Sequence, residues 1–120
     1  AEALHEQGRW DEGDTALRAG LGELLPATAS DPAAAERCRV AFDNLARSGQ
    51  ERGDYAAAEA AFREGLAAVP GAAGHFHFQL GRLYAGRGRP REALAEFAEA
   101  GRLAPGSGRR AEPFVRQLRE

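Results

Sequence analysis

At 120 residues, 43% of them hydrophobic, the chain has the length of one domain and enough apolar side chains to bury a core. No run approaches the ~18 consecutive apolar residues that a membrane-crossing helix needs. A net charge of −2, from 16 basic and 18 acidic residues, argues against a nucleic-acid partner, and the single cysteine, Cys38, excludes an internal disulfide.

Lysine, isoleucine and methionine are absent while alanine, glycine and arginine abound, a bias that leads us to expect a GC-rich, bacterial genome. The chain begins at Ala1 inside a helical pattern, with no charged and apolar leader ahead of it, so it is expected to be a fragment of a longer protein. The compartment is left open by the sequence; the lone cysteine favours the cytoplasm over the periplasm.

Residues 1–25 read as a degenerate helical hairpin. Its first helix is expected to be truncated to about residues 1–7, with a turn at Gly8 and Trp10 packed beside it. Gly13, Gly20 and Gly22 each cost a helix interior about 1 kcal/mol relative to alanine, so this is the least stable pair expected. Residues 26–31 form a loop. Asp31-Pro32 is then an N-cap followed by proline at the first helical position, and the three alanines after it favour a helix ending near Gln50.

Phe42, Leu45 and Ala46 share one face of that helix. Gly53-Asp54 reads as a turn in which glycine takes a left-handed backbone and aspartate caps the next helix. Tyr55, Ala58, Phe62, Leu66 and Val69 follow at helical spacing, and Pro70-Gly71 stops the helix. The next hairpin repeats this plan. His77, Leu80, Gly81 and Tyr84 line its first helix, Gly88-Arg89-Pro90 is the turn, Ala93, Phe97, Ala100 and Leu103 line its second helix, and Pro105-Gly106 ends it. Gly65 and Gly101 are expected to loosen the second helices. Gly106-Ser107-Gly108 reads as a flexible joint before a terminal helix, 112–120, with Phe114, Val115 and Leu118 on one side.

Leu45, Gly53, Ala58, Phe62, Leu66 and Pro70 recur 35 residues later as Leu80, Gly88, Ala93, Phe97, Gly101 and Pro105. A fixed period of this size marks stacked supersecondary units. Gly8, Trp10, Leu17 and Leu21 form a weaker copy at an offset of 45, the excess lying in the loop and in a lengthened following helix.

On these residues the chain resembles the tetratricopeptide repeat family. The likeness rests on Leu45-Ala46 and Leu80-Gly81, the turns at Gly53 and Gly88, Ala58 and Ala93, Phe62 and Phe97, and the closing Pro70 and Pro105. It implies an all-α fold, an α-solenoid of antiparallel helix-turn-helix hairpins with about three repeats and a C-terminal capping helix. The units would be 1–25, 32–72 and 74–107, with the terminal helix at 112–120.

The resemblance also implies a function: protein–protein interaction through a concave groove lined by the first helices, with no catalysis and no cofactor. Carried over residue by residue, the groove positions are Val40, Asp43, Arg47 and Gln50, then His75, Phe78 and Arg82, then Glu112 and Arg116. Arg47, Arg82 and Arg116 would form a row suited to an acidic protein or peptide partner, since guanidinium groups pair bidentately with carboxylates. Against this, Asp43 and Glu51 flank Arg47 at four-residue spacing, and Glu112 and Glu120 flank Arg116, the pattern of ordinary surface ion pairs. Arg82 has no such neighbour, which makes it and Phe78 the better anchors. The family's clamp for chaperone tails needs lysine and asparagine in the groove; the chain has no lysine, and Asp43 has the wrong sign.

His75 and His77 point away from each other on a helix, so His77 is assigned to the repeat core and His75 to the groove, and no metal site is expected. Cys38 reads as a small buried side chain. The alternatives to a scaffold are an accessory region that positions substrates for a multidomain bacterial enzyme, and self-association through the exposed ends.

Overall fold

The computed structural model describes the backbone of residues 2–28 and 30–119 and the side chains of residues 12–28 and 30–119. Among the described residues there are six α-helices and no strand: α1 (Glu2–Leu24), α2 (Pro32–Glu51), α3 (Tyr55–Ala68), α4 (Ala73–Gly86), α5 (Pro90–Leu103) and α6 (Pro105–Arg119). Short 3₁₀ turns, Leu25–Ala27 and Pro70–Ala72, link α1 to α2 and α3 to α4. No helix is long and apolar enough to cross a membrane among the described residues. The chain divides into two compact units, residues 1–61 and 62–120, the division falling inside α3.

The repeat is visible in the backbone of its turns. Gly53 and Gly88 have φ of 77° and 73°, the left-handed region that glycine enters without penalty. After α2, the Gly53 N–H donates to the Gln50 carbonyl (3.1 Å) and the Asp54 N–H to the Gly49 carbonyl (2.7 Å). After α4, 35 residues on, Gly88 donates to Ala85 (3.3 Å) and Arg89 to Tyr84 (2.9 Å). This paired bonding satisfies the last carbonyls of each helix and turns the chain back. The next helix starts at once: the Asp54 carboxylate accepts from the Ala57 N–H at 3.1 Å, and Pro90 stands at the first helical position of α5.

In the first unit α1 packs on α2. The α2 face that is buried carries Ala34, Cys38, Phe42, Leu45 and Ala46, spaced three and four apart as one helix face requires. Gly49 lets the start of α3 come close: a Cβ there would stand 2.9 Å from both the Ala58 nitrogen and the Asp54 oxygen. That leaves no room for the tyrosine found at the matching position, 84.

In the second unit aromatic rings seat in glycine notches. A Cβ on Gly65 would lie 2.5 Å from Phe76 Cζ, and one on Gly81 would lie 2.5 Å from Phe97 Cε1. Phe76 and Phe97 are 0% and 2% exposed. Gly65 therefore tightens the packing where the sequence suggested a loosened helix, and Gly101 does the same. A Cβ on Gly108 of α6 would stand 3.0 Å from Gly101 Cα of α5, so the two backbones nearly touch.

Two expectations are corrected. The terminal helix starts at Pro105 and not at residue 112, and Gly106-Ser107-Gly108 is its first turn. Low helix propensity suggested a joint, but the close α5–α6 contact at Gly108, with Ser107 and Ala111 buried, outweighs it. At the other end α1 is one helix through Gly8, without the turn expected there. Arg9 occupies the place that Asp54 fills after Gly53, so neither a capping side chain nor a proline restarts a helix after Gly8. The packing assigned to Trp10 lies outside the described side chains.

Candidate partner-binding face

The second unit brings α4 and α6 together on α5, and the α4–α6 seam is aromatic. Phe78 of α4 lies 6.1 Å from Phe114 of α6, edge to face, and 5.9 Å from Phe97 of α5; Phe97 and Phe114 stack at 5.7 Å. These centroid distances lie in the range where ring quadrupoles attract.

Phe78 is 3% exposed, so the residue expected to present an open aromatic anchor is instead the floor of the seam. The cause is α6: starting at Pro105, it brings Phe114 and Arg110 over the Phe78 ring. The Arg110 guanidinium sits 4.4 Å from the Phe78 centroid. The Arg82 guanidinium sits 6.0 Å from Phe78 and 5.9 Å from Phe114. Both arginines are exposed. A guanidinium stacked by its face keeps its N–H edges free for a planar acceptor.

Three other arginines of this unit are paired with glutamates. Arg116 pairs with Glu112 at 2.6 Å, Arg102 with Glu99, and Arg89 with Glu92 at 3.3 Å. The Arg102 hydrogen bond holds the Glu99 carboxyl below its usual range. Arg82 has only a 3.4 Å bond to Gln79, and Arg110 has no carboxylate among the described residues.

The remaining expected positions fall as follows. His75 is half-buried, its ring edge-on to Phe76 at 5.4 Å. His77 faces α5, its Nδ1 2.6 Å from Glu96 Oε2, each side chain four-fifths buried. Arg116 and Glu112 form the surface pair that their spacing suggested. In the first unit Arg39 takes up the Asp43 carboxylate at 3.0 Å and also bonds Glu36, leaving Arg47 exposed; Gln50 is half-buried and Val40 is exposed. Glu36 holds the Arg39 guanidinium above its ordinary value.

Sequence reasoning missed Arg110. With the helix assumed to start at residue 112, Arg110 fell outside it, between the joint at 106–108 and the helix. The signal was its spacing of four from Phe114, legible only once α6 is extended to Pro105.

A family model for the tetratricopeptide repeat matches residues 50–118, more than half of the chain. Comparisons with curated proteins and with solved structures give no significant match. The matched span holds the turn at Gly53, the repeated turn at Gly88 and the aromatic-in-glycine contacts at Gly65 and Gly81, and the chain belongs to the tetratricopeptide repeat family.

Proposed function

We propose that the α4–α6 face of the second unit binds an acidic segment of a protein partner, with Arg82 and Arg110 as the anchoring cations. Tetratricopeptide repeats are in general protein-interaction modules and are typically non-catalytic. The observation that carries the reading is that two exposed guanidinium groups lie within 6.0 Å of one buried ring, while Arg89, Arg102 and Arg116 are paired with glutamates. The ring contacts favour these rotamers, so part of the side-chain entropy is lost before binding. Phe114 lies beside Arg82, His75 stands one turn before Phe78 on α4, and Arg116 adds positive charge whenever Glu112 releases it. Arg47 and Gln50, with Asp43 held by Arg39, offer a second place of contact on α2 of the first unit.

A displayed random-peptide library selected on the protein tests this. Sequences rich in Asp and Glu should be enriched, and R82Q/R110Q should bind them at least ten-fold more weakly. Enrichment without acidic bias, or equal binding by R82Q/R110Q, overturns the reading.

A further inference from the structure

The acidic and basic residues are unequally shared between the two units. Residues 1–61 carry 6 arginines against 12 acidic residues (net −6), and residues 62–120 carry 10 against 6 (net +4). The overall charge of −2 hides this contrast.

The excess on each side includes exposed groups. In the first unit Asp14 is taken by Arg52, Glu36 and Asp43 by Arg39, and Asp31 and Asp54 by helix caps. Glu12 and Glu23 of α1 are exposed and have no arginine among the described residues. Eleven residues apart on one helix, they stand on the same face, about 16 Å apart along the axis, with exposed Ala16 and Ala19 between them. No long side chain on that line obstructs an approaching surface. In the second unit Arg82 and Arg110 are exposed beside half-buried Phe114.

We infer that the occupant of the α4–α6 face is a second copy of this chain, the acidic α1 face of one copy docking on the Arg82–Arg110 face of the next. The inference rests on the proposed acid-binding role of that face and names its partner. Charge complementarity selects the partner: a second copy supplies carboxylates where the first supplies cations. Because the two surfaces differ, the contact is head-to-tail, and it extends without closing unless the rotation happens to form a ring. Association should be strongly salt-dependent, since the screening length falls from about 30 Å at 0.01 M to below about 10 Å above 0.1 M.

Sedimentation velocity on the chain tests this. At about 10 mM salt the weight-average mass should climb with concentration past that of a dimer, and at about 300 mM it should return to the monomer. R82Q/R110Q and E12Q/E23Q should each remain monomeric at low salt. Mixed together they should form a one-to-one complex and stop there, because each retains one intact surface. A parent chain that stays monomeric at low salt, or an R82Q/R110Q variant that associates like the parent, overturns the inference. If selected acidic peptides still bind through Arg82 and Arg110 while the chain stays monomeric, self-docking fails and the acid-binding face stands. If neither peptides nor a second copy depend on these arginines, both readings fall.

Discussion

The Phe97 ring of α5 fills the space that a side chain on Gly81 of α4 would occupy, 2.5 Å from where its Cβ would be. The relationship is rigid on both sides, because Phe97 is 2% exposed and Gly81 is buried. Gly81→Ala should therefore overpack the hairpin and cost about 1–3 kcal/mol, as should Gly65→Ala against Phe76. Urea denaturation followed by helical ellipticity reads both. A midpoint equal to that of the parent for either variant would mean that the ring does not depend on the notch.

The glycines of α1 should behave in the opposite way. A Cβ at Gly13, Gly20 or Gly22 meets nothing within 4 Å, and all three lie inside the helix. Alanine there should stabilise the first unit by up to about 1 kcal/mol per site, through helix propensity alone. Thermal melts of Gly20→Ala and of the triple variant would show the increments, and a loss of stability would place a neighbour against α1.

These two glycine classes explain how far the sequence could be read. The 35-residue recurrence of Gly53 as Gly88, and of Phe62 as Phe97, was enough to place α2 to α5 and their turns, because each turn is made by residues adjacent in sequence. It did not separate a glycine that weakens a helix from one that receives a ring, since Gly13 and Gly81 look alike until the facing helix is known. The same blindness moved the start of α6 to residue 112: Gly108 reads as a joint locally and as a contact only beside Gly101. The pair of arginines over Phe78 was only half legible. Arg82 stands out by having no acid at helical spacing, whereas Arg110 needed the corrected helix, and the burial of Phe78 needed Phe114.

Phe78 gives the sharpest contrast with a simple groove. Because it is the buried floor of the seam, Phe78→Ala should destabilise the second unit by about 3–5 kcal/mol. Arg82→Ala should leave the denaturation midpoint nearly unchanged, as an exposed cation over a ring is worth about 0.5–1 kcal/mol. Comparing the two variants by urea denaturation separates a structural aromatic from a binding cation. Equal midpoints would show Phe78 to be a surface residue.

Cys38 supplies a pH-dependent signature of the first unit. It is 0% exposed on α2, and burial pushes its thiol above the ordinary value by disfavouring the thiolate. In the unfolded chain the thiol ionises near pH 8.5, whereas in the folded chain it holds its proton to higher pH. The folded state thus binds more protons in that window, so the contribution is fully present below about pH 8.5 and is lost as the pH rises past it. The parent should lose stability between about pH 8 and 10 more steeply than Cys38→Ala, whose slope lacks this group. Alkylation by iodoacetamide should likewise proceed at the rate of unfolding and be accelerated by urea. Rapid labelling of the folded chain at neutral pH would show the thiol to be open to solvent and remove both expectations.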